Sequence, residues 1–139
     1  MEIGDIEKLY NEESGMKGLC GASDMREVHR LANDGSEDAQ LAIEMYCYRI
    51  IKYVGAYHAL LEGLDALVFT AGIGEHDPEI RQLVCERLAV LGIIIDSKRN
   101  HANMDRVSII SDDDSKVKVL VVPTNEELEI ARQTMAAIN

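Results

Sequence analysis

The sequence predicts an α/β fold in which a sheet is flanked by helices. Three observations predict it. The apolar run Ala66-Leu67-Val68-Phe69 ends at Thr70 and feeds a turn of small residues and a helix start, as a central strand covered on both faces does. Residues 36–62 carry Ala39, Ile43, Tyr46, Ile50, Val54, Tyr57 and Leu61 at three-and-four spacing, the face of a long helix buried against a sheet. Two short strand-like runs, 107–111 and 117–122, precede a last helical segment.

Each element follows from local pattern. Ile3, Ile6, Leu9 and Tyr10 recur at helical spacing, and Gly15 ends that segment. Three glycines between positions 15 and 21 make the next stretch a loop, open to a ligand or another backbone. A helix then runs to about residue 33, capped either by Ser23 or by Asp24 with Glu27 three residues on. Asn33-Asp34-Gly35 is a turn, and Ser36 and Asp38 open the long helix. After the 66–70 strand come Ala71-Gly72-Ile73-Gly74 as a turn and a helix over 78–91, with Asp77 as cap, Pro78 at its first position and Gly92 as its stop. Ile93-Ile94-Ile95 reads as a short strand, 96–106 as a polar loop, and Asp112-Asp113-Asp114-Ser115 as a turn between strands. Thr124 and Glu127 form a capping box for the final helix, with Leu128, Ala131 and Met135 on one side.

Composition bounds the function. With 139 residues, 47% of them hydrophobic, the chain has the material for one folded domain and is not disordered. A net charge of −11 argues against nucleic acid and anionic membrane as partners, although local backbone donors still allow an anionic small ligand. Cys20, Cys47 and Cys85 are widely spaced without a CxxC pair, the usage of reduced, buried thiols in a cytosolic protein. No signal-peptide pattern and no membrane-length apolar run is present in the sequence. The expectation is a soluble, cytoplasmic protein.

The chemistry-bearing residues are few. Gly72 and Gly74, between a strand and a helix start, are placed as phosphate-binding glycines often are, and equally as in a plain tight connection. Asp24 reads locally as a cap and Arg26 as a surface charge. His58 has no second ligand at metal spacing, and His101 and Asn103 fall in a solvated loop. The acidic triplet lacks the glycine and distal glutamate of a calcium loop. With Glu127 engaged as a cap, Glu126 is left without a local partner.

Three separated blocks, YNEESGMKGLCGASDMRE, GLDALVFTAGIGEHDPEIRQLVCERLAVLGI and VLVVPTNEELEIARQT, together resemble the carboxy-terminal part of the acetate and propionate kinase family. The resemblance covers almost the whole chain, in the family's order and near its spacing. It implies residues 1–139 as a single segment, the nucleotide-binding part of an actin-like, sugar-kinase-type (ribonuclease H-like) domain. It also implies phosphoryl transfer between ATP and acetate, giving acetyl phosphate and ADP, with magnesium. The adenosine contacts fall on Asp24, Met25 and Arg26, the ribose and phosphate contacts on Gly72, Ile73, Gly74, Glu75 and His76, and the magnesium carboxylate on Glu126.

The sequence departs from the family at His76, where asparagine is usual, at Asp77, where a small hydroxyl residue is common, and at Met25, where phenylalanine is commoner. A carboxylate at 77 repels nucleotide phosphate unless it faces the helix end. The family's chains are also roughly three times as long. The groups that hold acetate and the transferring phosphoryl belong to the part without a counterpart here, so the chain alone is expected to be inactive. The alternatives are a non-catalytic nucleotide-binding or subunit-pairing module, and an isolated structural segment without ligand. A homo-oligomer, or pairing with the missing kinase portion, is expected through an open edge of the 66–70 strand and the last helix.

Overall fold

The computed structural model describes residues 2–102 and 106–138, Glu126 by its backbone alone. The chain divides into two compact units, Met1–Leu60 and Leu61–Asn139.

The first unit is helical: α1 (Ile3–Glu12), α2 (Gly15–Cys20), α3 (Met25–Asn33) and α4 (Glu37–Leu60). The stretch predicted as a glycine loop is therefore a helix. Met16, Lys17, Leu19 and Cys20 are adequate helix residues, and the glycines act at its ends: Gly15 enters at φ +62° and Gly21 closes it in the left-handed region at φ +80°. Both α2 and α3 pack on α4. Met25, Val28, Ala39, Ala42, Ile43 and Cys47 are buried. Within this unit α4 meets the helices α2 and α3, and the predicted stripe is buried only near its start; Tyr57 is exposed.

The second unit holds a three-stranded mixed sheet in the order β1-β3-β2. β1 (Ala66–Thr70) runs parallel to β3 (Lys118–Val122), and β2 (Ser108–Ile109) runs antiparallel to β3. On β3 alternation is clear: Val119 and Val121 are fully buried, whereas Lys118 is exposed. β1 occupies its predicted residues, but among the described residues it is an edge strand paired only with β3, and of its five residues only Phe69 is buried. Its four apolar residues in a row made it read as central.

β1 leads into α5 (Ala71–His76), and α6 (Pro78–Arg87) follows. Asp77 caps α6, its Oδ1 accepting from the Ile80 N–H at 3.0 Å. Ile80, Val84, Leu88 and Ile93 are buried in this unit's core with Val119 and Val121. A 3-10 turn (Ala89–Leu91) ends at Gly92, φ +80°, where an added Cβ would lie 3.0 Å from the Lys116 side chain.

The predicted strand at 93–95 does not form. Ile95 makes one isolated bridge with Ser111, and Ile94 N–H is taken by the Ser115 hydroxyl at 2.9 Å. The polar 96–106 loop contains a short helix, α7 (Ser97–Asn100), capped by Asp96. Asn103 lies outside the described residues. The last helix, α8 (Glu126–Ile138), is capped by Asn125, whose Oδ1 accepts from the Leu128 N–H at 2.9 Å. Among the described residues the predicted Thr124–Glu127 box does not form: the Thr124 N–H, which the box would give to Glu127, goes to Glu75, and Asn125 holds the cap position.

Candidate functional site

In the first unit, Asp24 occupies the N-cap of α3 and carries two tasks at once. Its Oδ1 accepts from the backbone N–H of Arg26 at 2.9 Å and from Arg26 Nε at 3.0 Å, while Oδ2 accepts from Arg26 Nη2 at 2.5 Å. These bonds hold the Asp24 carboxyl well below its ordinary range, at about 2. Met25, the first residue of the helix, is buried. The two polar side chains of the predicted trio are therefore locked to each other at the surface, with the methionine packed inside. The local reading of Asp24 as a cap holds, and Arg26 is a surface charge paired to it.

In the second unit, the small-residue stretch after β1 is a turn of helix. The backbone reverses at Ala71, which has φ +58°, and neither Gly72 nor Gly74 needs a positive φ. The two glycines differ in what surrounds them. An added Cβ at Gly72 would meet nothing within 4 Å, whereas at Gly74 it would lie 3.3 Å from the Phe69 carbonyl carbon. Gly74 is thus needed for packing against its own strand, and Gly72 borders open space. That space is the feature compatible with close approach of a ligand to the backbone.

Glu75 is tied to the segment before α8. Its Oε1 accepts from Thr124 N–H at 2.9 Å and from Thr124 Oγ1 at 2.8 Å, and the backbone bond, then the hydroxyl bond, lower its pKa. His76 is exposed at the end of α5. Asp77 directs a carboxylate oxygen at the start of α6, the orientation that removes the predicted conflict with an anionic ligand.

Behind this segment lies a group that the sequence reading missed. Arg81 is buried at 2% exposure, with Asn100 fully buried beside it. Arg81 Nη1 donates to the carbonyls of Gly74 at 2.8 Å and Glu75 at 2.9 Å; Nε and Nη2 donate to Asn100 Oδ1 and Asn100 O, both at 2.7 Å. Asn100 Nδ2 in turn donates to Pro78 O at 2.8 Å. No sequence signal separates this arginine from the solvated ones of a helix.

Comparison with known proteins places the chain. A model of the Acetokinase family matches residues 1–132. This chain belongs to the acetokinase family. It is 49% identical over 135 residues to the acetate kinase of Lawsonia intracellularis, covering 97% of this chain and 33% of that one. Among solved structures it resembles the acetate kinase of Porphyromonas gingivalis, with 44% identity and a TM-score of 0.85, over 100% of this chain and 35% of that one. It also resembles a propionate kinase of Francisella tularensis, with 41% identity and a TM-score of 0.83, over 94% and 33% of the two chains.

The chain spans about a third of the length of the curated relatives it matches. Its α/β architecture, a small mixed sheet with helices, is that of a part of the actin-like fold of the acetokinases.

For magnesium, the described residues offer no group of three His, Cys, Asp or Glu side chains. Such a group is not required, since magnesium commonly takes one or two carboxylates plus substrate phosphates and water. Glu126 starts α8, and its side chain is outside the described ones. Among the described residues no helix is long and apolar enough to cross a membrane.

Proposed function

We propose that residues 1–139 act as the carboxy-terminal, adenosine-nucleotide-binding part of an acetate kinase, a phosphotransferase moving phosphoryl between ATP and acetate. The observation that carries this reading is agreement with acetate kinases at about half identity over nearly the whole chain. Asp24 and Arg26 present polar groups to the adenosine, with Met25 as the apolar support beneath them. Gly72, Ile73, Gly74, Glu75 and His76 line the ribose and phosphates, and the open space at Gly72 supports that placement. Glu126 holds magnesium, which when bound neutralises phosphate charge. The acetate-binding and phosphoryl-stabilising groups belong to the portion of the relatives that this chain does not span, so the chain by itself binds nucleotide weakly and does not turn over. We place its work in the cytoplasm.

Calorimetric titration with magnesium and ADP, beside an acetyl phosphate assay, tests this. Measurable ADP binding without acetyl phosphate formation is the expected result. An absence of binding, or acetate-dependent ADP formation by the chain alone, overturns it.

The pairing alternative has its own support. The outer edge of β1 has no strand partner among the described residues, Val68 is 50% exposed, and Leu128 and Met135 on α8 are exposed as well. An open strand edge of this kind recruits another chain. Light scattering is expected to show self-association, or capture by the rest of the kinase when that is supplied. A stable monomer that does neither removes this second reading.

A further inference from the structure

The guanidinium of Arg81 is buried, yet all the hydrogen bonds described for it go to neutral oxygens. Burial pushes its pKa down, and the charge of Asp77 opposes that. A buried cation is a costly way to fill a core. Its position shows what it achieves. α5 has only six residues and ends at His76, too short to hold its own shape; in its last turn the Ile73 carbonyl is taken by the Asp77 N–H, but Gly74 stands four residues before Pro78, which has no N–H to give it. Arg81 fills that gap at two successive carbonyls, Gly74 and Glu75. Its other two bonds fasten it to Asn100, which is itself fastened to Pro78. The peptide units being planar, fixing these two carbonyls fixes the course of the backbone on either side of Glu75.

We propose that Arg81, braced by Asn100, is a positioning residue that holds segment 72–76 in its nucleotide-binding geometry. This rests on the nucleotide-binding reading of that segment. Arg81 acts from behind, through carbonyls, and is not a ligand contact. A planar fork bonding three residues at once is a task for arginine that lysine cannot reproduce, whatever its charge.

The test compares the unmodified chain with Arg81→Lys, Arg81→Met and, as a control for general loss of stability, Val84→Ala, a buried position on the same helix. Magnesium–ADP affinity is measured by calorimetry, and amide hydrogen exchange is followed over residues 71–77. Both Arg81 variants are expected to weaken ADP binding about tenfold, the equivalent of one charge-assisted hydrogen bond. Both should also speed exchange in 71–77 beyond any change in global stability. Val84→Ala should bind within about twofold of the unmodified chain. If the unmodified chain binds ADP and the Arg81 variants match Val84→Ala in affinity and exchange, the positioning role is wrong and the nucleotide reading stands. If Arg81→Lys binds normally while Arg81→Met does not, charge and not geometry is the contribution, and the proposal falls. If the unmodified chain does not bind, the nucleotide reading fails and takes this role with it.

Discussion

Glu75 and Thr124 are joined twice, by the backbone N–H at 2.9 Å and the hydroxyl at 2.8 Å of Thr124, both donating to one carboxylate oxygen. The two residues lie 49 positions apart, so the pair ties the end of α5 to the segment that leads into α8.

The tie has a pH signature. Because Glu75 titrates below its ordinary value of 4.5 in the fold, its contribution is present above that value and is lost as pH falls through the folded pKa. Thr124→Val and Glu75→Gln are both expected to lower stability slightly at neutral pH. Urea denaturation at several pH values below about 5 should show a shallower acid-induced loss in either variant than in the unmodified chain. Parallel acid slopes in all three chains would show that the bond is not maintained in solution.

Asp24 provides a second and lower window. Its folded pKa of about 2, against an ordinary 3.8, means its stabilisation is intact above 3.8 and disappears as pH approaches 2. Asp24→Asn retains a capping oxygen but gives up the ion pair with Arg26. The expected outcome is a melt lowered slightly at neutral pH, by the small amount an exposed pair contributes, with this window of acid sensitivity removed. An unchanged acid limb after the substitution would place the sensitivity in other groups.

At the start of α8 the two candidate caps are separable. Asn125→Ala should cost about 1 kcal/mol through loss of the bond to the Leu128 N–H. Glu127→Ala should remain within about 0.5 kcal/mol of the unmodified chain. Thermal or urea melts in the reverse order would restore Glu127 to the capping role that its spacing from Thr124 predicts.

The thiols should differ sharply in reactivity. Burial pushes Cys85 up to about 12, and Cys85 and Cys47 are nearly inaccessible, whereas Cys20 is half-buried with Sγ near the Met16 carbonyl. A disulfide reagent at neutral pH should label Cys20 in the native chain and the other two only after unfolding. The same shift makes stability fall between the ordinary value of 9 and about 12, because the unfolded chain loses that proton first. Rapid native labelling of all three thiols would contradict the packing around Cys47 and Cys85.

Patterns spaced along one element were legible in the sequence, and preferences decided by distant partners were not. β1 occupies the predicted residues, and α6 starts at Pro78 behind its Asp77 cap, because turn chemistry and apolar runs are local. The triple isoleucine at 93–95 misled for the opposite reason. Its backbone donor at Ile94 is satisfied by a serine hydroxyl 21 residues away, so β-branched side chains did not bring a ladder with them. Glycines at 15, 18 and 21 suggested a loop, but two serve at the ends of a helix. The 72–76 segment was found as a candidate site, yet its two supports, Arg81 and Thr124, were read as a helix residue and a cap. Only folding reveals that they converge on Gly74 and Glu75.

The parallel pairing of β1 with β3 also has a kinetic consequence. The Thr70 hydroxyl bonds the Val122 carbonyl across 52 residues of chain, and every rung of that ladder has the same long separation. The cost of closing so large a loop falls before the ladder can repay it. In the helical unit, by contrast, contacts between neighbouring helices close over short stretches. We therefore expect refolding in two phases, with helical signal recovering early and the sheet forming late. During that interval β1 is exposed along both edges, so yield on refolding should fall as protein concentration rises.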